Sequence, residues 1–414
     1  MRMTIGTFRG ATLDSRQVKP GMLFVAVKGE RVDGHDFIPQ ALAAGAAGII
    51  EGREELARVA AEYRRTLKAK VIGITGSAGK TTTKELVAAF LRAGGFRVHA
   101  TAGNFNNDLG LPLTILNCPE DAEFLVVEMG TNHPGEIAYL VDIAAPDAGV
   151  ISSIGTAHIE YFKTQDGIAD EKGTLFARLP PDGFAVVGVN NDRYELLRAM
   201  SAARVVSVDP SDDLGARIAE ALAVRLPGAH NVSNARLAAA CAGEFGVPLE
   251  RCLAALADFS LPGDRWRVVE KDGVTYVNDC YNANPTSMIA ALETFAAMPC
   301  AGRRVAVLGD MFELGDRKEE FHEQVLARAM ELPIDAVFAV GEAMAAACAA
   351  VSSKPPYRVA ERIEDTENVG VAGVSPANLA DVPSAKEALS IFLRPGDAVF
   401  LKASHGMHLE AILA

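Results

Sequence analysis

One short segment carries the residue types that hold phosphate groups in many enzymes. It reads Gly-Ser-Ala-Gly-Lys-Thr-Thr over residues 76–82. Glycines let the backbone curl so that successive N–H groups point inward, a lysine reaches the outer phosphates, and a threonine can ligate Mg²⁺. The segment therefore predicts a site for ATP, with the metal on the first threonine. Its members are Gly76, Ser77, Ala78, Gly79, Lys80, Thr81 and Thr82.

The residues on either side argue against a glycine turn with an incidental lysine. Residues 71–74 form an apolar run too short for a helix, and residues 83–92 place Leu86, Val87 and Phe90 on one helical face. The usual spacing of this loop has a glycine where Ile74 stands. A strand before the loop and a helix after it are nevertheless the context that phosphate binding requires.

Two more candidates follow predicted strands. Glu128 ends the apolar run 124–127, and His158 comes shortly after the run 149–152. Ligand sites in open α/β sheets form at the carboxyl edge of the strands, where the phosphate loop also opens. We expect Glu128 to hold Mg²⁺ there, whereas His158, by its type alone, is as compatible with a structural role.

The order of runs along the chain predicts the fold class. Strand-length apolar runs alternate with helix-length amphipathic stretches, which indicates an α/β protein with parallel strands and crossover helices. The alternation starts abruptly after residue 69 and restarts after a proline and a glycine at 262–263. We therefore predict three domains, over residues 1–69, 70–262 and 263–414.

Composition excludes several classes of protein. The chain has 414 residues, of which 49% are hydrophobic and 22% charged, enough apolar material for more than one core. A net charge of −13 argues against a nucleic-acid coat or a basic membrane-surface protein. The six cysteines are scattered, which argues against a disulfide framework or a zinc site, and no apolar stretch has the length of a signal peptide or a membrane span. The sequence also has no dinucleotide-binding or acyl-enzyme motif. We therefore expect a cytoplasmic enzyme that transfers phosphoryl groups from ATP.

Seven segments together, in order, resemble the Mur ligase family of ATP-dependent amide ligases in peptidoglycan synthesis. They are residues 75–85, 101–114, 128–137, 155–160, 230–235, 278–288 and 308–315. Tyr281-Asn-Ala-Asn-Pro285 and Gly309-Asp-Met-Phe-Glu-Leu-Gly315 are similar to the branch that adds D-alanyl-D-alanine, and the Asp-Asn-Pro-Arg signature of a sister ligase is not present in the sequence. Residues 14–16, 20–26 and 33–38 resemble the family's uridine-nucleotide-binding domain.

The resemblance implies a fold and a reaction. The fold would combine an N-terminal uridine-nucleotide-binding α/β domain, a central ATPase domain with a mostly parallel sheet, and a C-terminal Rossmann-like domain. The substrates would be UDP-N-acetylmuramoyl-tripeptide, D-alanyl-D-alanine and ATP with Mg²⁺. The tripeptide carboxylate would attack the γ-phosphate, and the dipeptide amine would then open the acyl phosphate. A monomer is the family expectation.

The resemblance also implies roles for individual residues. Lys172 aligns with a lysine that is carbamylated in the family, and with Glu128, His158 and Thr81 it would serve Mg²⁺. Lys80, Lys172 and His158 would be the catalytic residues. Contacts to the nucleotide would come from Asn231, Asn234, Arg265 and Asp279, although asparagine at a helix start also predicts N-capping. Contacts to the other substrates would come from Ser15, Arg16, Asn104, Asn106, Asn107, Asn282 and Lys402.

Two alternatives stay open. The first is a sister ligase that adds the third-position diamino acid, against which the missing signature argues. The second is a catalytically idle nucleotide-binding relative, against which the intact Lys80, Thr81, Glu128, His158 and Lys172 argue.

Overall fold

A computed structural model of the protein describes residues 8–29, 32–211, 213–223, 225–352, 376–379 and 381–414. The described chain forms two compact units. The first unit comprises residues up to 154 together with 165–222 and 231–259, and the second comprises 155–164, 223–230 and 260–414. None of the helices in these described ranges is long and apolar enough to cross a membrane.

The first unit begins with a small parallel sheet of order β1-β2-β3. Its elements are β1 (Ala11–Thr12), β2 (Leu23–Ala26), α1 (Ile38–Ala43) and β3 (Gly48–Glu51), followed by α2 (Arg53–Arg64). All four residues of β2 are buried, which explains why the central strand reads as an unbroken apolar run.

The main sheet of the first unit has six strands, all parallel, in the order β5-β6-β4-β7-β8-β9. Its strands are β4 (Lys70–Thr75), β5 (Val98–Ala100), β6 (Phe124–Glu128), β7 (Ala148–Ile151), β8 (Phe184–Gly188) and β9 (Arg204–Val208). The helices that follow β4 in the chain are α3 (Lys80–Ala93), α4 (Gly110–Leu116), α5 (Glu136–Ala144), α6 (Ile159–Phe162), α7 (Gln165–Ala177), α8 (Tyr194–Met200), α9 (Leu214–Leu222), α10 (Ala229–Glu244) and α11 (Leu249–Leu256). Of these, α6 belongs to the second unit. Because β4 and β6 are adjacent and parallel, the loop after β4 and the glutamate that ends β6 lie at the same edge.

The second unit holds a sheet of order β10-β11-β15-β12-β13-β14, parallel except for the first pair. Its strands are β10 (Arg267–Lys271), β11 (Val274–Asn278), β12 (Arg304–Gly309), β13 (Ala336–Val340), β14 (Pro376–Leu379) and β15 (Ala398–Lys402). The helices are α12 (Pro285–Ala296), α13 (Lys318–Glu331), α14 (Glu342–Ser352) and α15 (Val382–Phe392). β15 lies at the centre of the sheet and is buried throughout.

The strand predictions are confirmed with small shifts at the ends. β6 (Phe124–Glu128) extends the predicted run 124–127 by one residue, and β7 (Ala148–Ile151) lies one residue before the predicted run 149–152. The helix after the phosphate loop begins at Lys80 rather than at residue 83. The three sheets fall one in each predicted domain, while the domain bounds themselves stay a prediction.

Candidate active site

The phosphate loop joins β4 to α3 and depends on two glycines. Gly76 has φ +151°, and Gly79, the N-cap of α3, has φ +80° in the left-handed region. A Cβ on Gly79 would overlap the Oδ1 atom of Asn234 and stand 2.9 Å from its Nδ2 atom. Both backbone angle and space therefore require glycine at position 79.

Two serines that the sequence reasoning missed, Ser152 and Ser153, form hydrogen bonds to the backbone of the phosphate loop. The backbone N–H of Ala78 donates to Ser153 Oγ at 2.9 Å, and that of Ser77 donates to the Ser153 carbonyl at 2.9 Å. Ser152 Oγ donates to the Thr75 carbonyl at 3.2 Å. Their position just after β7, the strand that neighbours β4, is the signal that could have identified them.

The cation and hydroxyls of the loop lie at the start of α3. Lys80 Nζ donates to the Gly76 carbonyl at 2.8 Å, so the ammonium lies across the loop. Thr81 and Thr82 occupy the first turn of the helix and are buried. A helix N-terminus, an ammonium and glycine-rich backbone together form a site suited to a polyphosphate.

Glu128 lies at the carboxyl end of β6, as predicted, and is 2% exposed. Its Oε1 atom accepts from Asn106 Nδ2 at 2.8 Å, whereas its Oε2 atom is buried without a hydrogen-bond partner among the described residues. An unsatisfied carboxylate oxygen in the interior costs free energy unless a cation or donor meets it. Glu128 is therefore a good candidate ligand for a hard cation.

Lys172, on α7, is fully buried. Its Nζ atom has no hydrogen-bond partner in the described ranges. Burial, followed by the charge of Lys80, sets the pKa of Lys172 well below its ordinary value, against the opposing pull of Glu171 and Glu136. The side chain therefore favours the neutral amine, the form that can react with carbon dioxide.

Glu171, beside Lys172, is a third residue that the sequence reasoning missed. Its carboxylate accepts from the backbone N–H groups of Gly135 at 2.7 Å and Ile137 at 2.8 Å. It thereby caps the N-terminus of α5 and ties that helix to α7. Nothing in the local sequence predicts this contact, because the partners are 34 and 36 positions away.

Asn231 and Asn234 lie in α10, buried at 3% and 5% exposure. The alternative that they cap a helix is wrong, because α10 begins at Ala229 and both lie inside it. Thr83 Oγ1 donates to Asn234 Oδ1 at 3.3 Å, which places Asn234 against the phosphate loop.

The predicted contacts to the muramoyl nucleotide are more scattered. Ser15 Oγ donates to Gln40 at 2.9 Å and Arg16 pairs with Asp14 at 2.9 Å, both beside the small sheet. Asn104 is exposed, and Asn107 Oδ1 accepts from the backbone of Gly110 at the start of α4. Among the three predicted asparagines, only Asn106 directly contacts Glu128 in the described structure.

His158 belongs to the second unit, where it is the N-cap of α6 with φ +59°. Its Nδ1 atom lies 2.6 Å from the carboxylate of Glu313. Sequence reasoning missed Glu313, because its partner is 155 positions earlier in the chain.

The other candidates of the second unit surround the end of β15. Lys402 Nζ forms an ion pair with Asp279 and donates to the Asn282 carbonyl at 3.0 Å. The Arg265 guanidinium stacks on the ring of Tyr281, 3.4 Å from its centroid. The structure thus brings Asp279, Asn282 and Lys402 together, with the lysine charge balanced by Asp279.

Within the described residues no group of three His, Cys, Asp or Glu side chains could hold a metal ion. The first unit offers instead two oxygen donors, the Thr81 hydroxyl and the unpartnered Oε2 atom of Glu128, together with the buried amine of Lys172 as the site of the predicted carbamate. Oxygen donors in small number, completed by water and substrate phosphates, are what Mg²⁺ requires. The residues present fit that ion.

A parallel sheet with this loop and carboxylate at its edge defines an α/β enzyme that binds a nucleoside triphosphate. Three family descriptions match the chain: "Mur ligase family, catalytic domain" over residues 7–97, "Mur ligase middle domain" over 74–242, and "Mur ligase, glutamate ligase domain" over 264–405. The chain belongs to the Mur ligase family.

Similar proteins and structures agree. The UDP-N-acetylmuramoyl-tripeptide–D-alanyl-D-alanine ligase of Escherichia coli K12 is 36% identical over 81% of this chain and 82% of its own. The ligase of the same name from Bacillus subtilis 168 is 34% identical, and the match covers 98% of this chain and 92% of that protein. MurF from Acinetobacter baumannii superposes with a TM-score of 0.81, 28% identity and coverage of 97% and 92%. MurF from Thermotoga maritima in complex with ADP superposes with a TM-score of 0.78 and 28% sequence identity, and the match covers 99% of this chain and 97% of that one.

These comparisons confirm two predictions from the sequence. The family is the one that the seven segments resemble, and the fold is the three-domain α/β fold with mostly parallel sheets. The individual roles of site residues are not tested by the comparisons and stay predictions.

Proposed function

We propose that this chain is the ATP-dependent ligase that joins D-alanyl-D-alanine to UDP-N-acetylmuramoyl-tripeptide in peptidoglycan synthesis. The main support is the match, over 81–98% of the chain, to relatives that carry this activity in their names. The phosphate loop of residues 76–82, with Glu128 at the neighbouring strand end, supplies the chemistry that such a reaction needs.

The reaction requires activation because a carboxylate at neutral pH is a poor electrophile. A carboxylate oxygen of the tripeptide attacks the γ-phosphorus of ATP, the bond to ADP breaks, and an acyl phosphate forms. The dipeptide amine then attacks the acyl carbon, loses a proton, and phosphate leaves with the oxygen that came from the carboxylate. Two anions must meet in the first step, so cationic groups have to surround them.

The phosphate loop supplies the first of these groups. Lys80 and the N-terminus of α3 would bind the outer phosphates, and the Asn234 amide lies directly against Gly79 and accepts from Thr83 Oγ1 on α3. Asn231, Arg265 and Asp279 complete the proposed nucleotide contacts. The ADP complex of the Thermotoga maritima relative supports the use of ATP.

We propose Mg²⁺ as the metal, held by Thr81, Glu128 and Lys172, with His158 as a further ligand. Bound Mg²⁺ would neutralise charge on the transferred phosphoryl group. Burial shifts Lys172 toward the neutral amine because it lowers the pKa, and carbamylation of its Nζ by carbon dioxide would convert it into an anionic oxygen donor. Lys80, Lys172 and His158 are therefore the proposed catalytic residues.

The remaining proposed contacts divide between the two other substrates. The UDP-muramoyl tripeptide would be bound by Ser15, Arg16, Asn104, Asn106 and Asn107, and the dipeptide by Asn282 and Lys402. Arg16 suits a diphosphate because its guanidinium offers paired donors. We also propose a monomer that acts in the cytoplasm, where ATP is available.

The test is phosphate release from ATP and Mg²⁺ with UDP-N-acetylmuramoyl-tripeptide, with and without D-alanyl-D-alanine. We expect release that requires both substrates, and a product whose mass equals tripeptide plus dipeptide minus water. Release with a free diamino acid and the UDP-dipeptide instead would favour the sister ligase. No release under either condition would favour an idle relative.

A further inference from the structure

The carboxyl end of β6, which carries Glu128, is held by hydrogen bonds on both sides. On one side the N–H of Glu128 donates to Thr101 Oγ1 at 3.0 Å. On the other side the N–H of Met129 donates to the Ile74 carbonyl at 2.8 Å, and Thr75 Oγ1 donates to the Met129 carbonyl at 2.8 Å. The backbone at Glu128 is therefore fixed, and the freedom that remains is the rotation of its side chain.

A fully buried lysine holds Thr101 in this position. Lys84, on α3, donates from Nζ to the Thr101 carbonyl at 2.7 Å and forms an ion pair with Glu85. The N–H of Thr101 donates to the Val126 carbonyl at 3.0 Å, so Thr101 continues the pairing of β5 with β6. A lysine is buried in this way only where its charge and its donors are matched. Lys84 thus ties the phosphate-loop helix to the segment that begins at Thr101.

The same segment returns to β6 at Asn106 and contacts the Glu128 side chain. The Asn106 carbonyl accepts from the N–H of Gly130 at 2.8 Å, and Asn106 Nδ2 donates to Glu128 Oε1 at 2.8 Å. Because an ionised carboxylate only accepts, the amide has to present Nδ2 to it. A Cβ on Gly130 would stand 2.9 Å from the Cγ and Oδ1 atoms of Asn106, so glycine at position 130 leaves the room that the amide occupies.

We propose that Asn106 is a positioning residue for Glu128 in metal binding. Its hydrogen bond engages Oε1 and leaves Oε2, which is buried without a partner among the described residues, as the ligating atom. Carboxylates that ligate metals are themselves hydrogen-bonded, and such partners fix the orientation of the ligand. This role is additional to the proposed contact of Asn106 with the muramoyl nucleotide, and it rests on the proposed role of Glu128 as a Mg²⁺ ligand.

The experiment measures the Mn²⁺ affinity of the full chain by electron paramagnetic resonance, without nucleotide or muramoyl substrate, so that a substrate contact cannot affect the result. Loss of such a hydrogen-bond partner typically weakens metal binding about 10–100-fold, so we expect Asn106→Ala to lie in that range. Gly130→Ala, whose added methyl group requires the Asn106 amide to shift, should weaken binding in the same direction. The matched control is Asn190→Ala, which removes an exposed asparagine just after β8, at the same edge of the sheet, and should leave the affinity unchanged.

Glu128→Gln and the double variant Glu128→Gln/Asn106→Ala separate the possible outcomes. If Asn106 acts through Glu128, the double variant binds Mn²⁺ as Glu128→Gln does. Additive losses, or wild-type affinity in Asn106→Ala beside a weakened Glu128→Gln, would overturn the positioning role alone. Wild-type affinity in Glu128→Gln would instead remove Glu128 from the metal site, and with it the basis of the inference. Circular dichroism and ADP affinity report whether each variant folds, and Gly130→Ala carries the same prediction if Asn106→Ala does not.

Discussion

Replacing Gly79 with alanine tests the geometry of the phosphate loop most sharply. The position combines φ +80° with a Cβ site that overlaps the Asn234 amide. The left-handed conformation costs an alanine roughly 1–2 kcal/mol. Forcing a methyl group into an occupied space adds typically about 1–3 kcal/mol. The expected loss of stability for Gly79→Ala is therefore about 2–5 kcal/mol.

The opposite end of the same helix provides a matched control. Gly95, just after α3, has φ +96°, but a Cβ there would meet nothing within 4 Å. Gly95→Ala should thus cost only the conformational part, about 1–2 kcal/mol. The difference between the two variants isolates the contact with Asn234.

A double-mutant cycle with Asn234→Ala completes the test. Once the amide is removed, Gly79→Ala should cost no more than Gly95→Ala, a coupling of about 1–3 kcal/mol. Urea unfolding followed by circular dichroism at 222 nm is the appropriate assay, because the single tryptophan, Trp266, lies in the second unit. Equal losses for the two glycine variants, or no rescue by Asn234→Ala, would refute the reasoning.

Three further predictions address charge. Lys80→Met should lower kcat for phosphate release about 10²–10³-fold, because it removes a cation that would stabilise the charge developing on the transferred phosphoryl group. The control is Lys68→Met, at an exposed surface position, which should leave kcat unchanged. A Lys80→Met enzyme with normal kcat would contradict the role assigned to Lys80. Desolvation lowers the pKa of His230 to about 4, so the unfolded chain binds more protons between pH 6.5 and 4. Stability should fall by about 3 kcal/mol as pH decreases through that window, and melting curves of His230→Gln should lack this slope. Burial raises the pKa of Asp397, but Arg303 and two backbone N–H groups lower it more, so the net pKa lies below its usual value. The contribution of Asp397 to folding stability is therefore present above pH 3.8 and is lost as the pH falls below that value. Asp397→Asn should cost about 1–3 kcal/mol at pH 7. Urea unfolding followed by the fluorescence of Trp266, whose ring centroid is 5.9 Å from that of Phe400 on β15, would measure it, and an unchanged midpoint would contradict the account.

Local signals predicted the strands and the loop because burial on both faces leaves a contiguous apolar run. β6 (Phe124–Glu128) covers the apolar run 124–127 that the sequence predicts as a strand, and Glu128 lies at the strand end where the pattern put it. The predicted helix starts were less accurate. The apolar pattern places the start of α3 at residue 83, but the helix begins at Lys80, because Gly79 is its N-cap and has no polar side chain that would mark the start in the sequence.

Contacts between distant segments explain what sequence reasoning could not provide. Glu171 caps a helix more than 30 positions away, and Ser153 supports a loop 75 positions earlier. Neither residue differs by type from an ordinary surface polar residue, and only the position of Ser153 just after β7 offered a signal. Only the parallel neighbours β4 and β7 bring Ser153 to the loop, and only the packing of α5 and α7 brings Glu171 to its partners.

The role of ATP in activating the carboxylate is the central claim, and oxygen-18 transfer tests it directly. UDP-N-acetylmuramoyl-tripeptide labelled in both oxygens of the reacting carboxylate is incubated with ATP, Mg²⁺, D-alanyl-D-alanine and the enzyme. If the carboxylate attacks the γ-phosphorus, each phosphate released carries one oxygen-18 atom, and the new amide retains the other. Unlabelled phosphate would show that water attacks ATP, and would contradict an acyl-phosphate ligase.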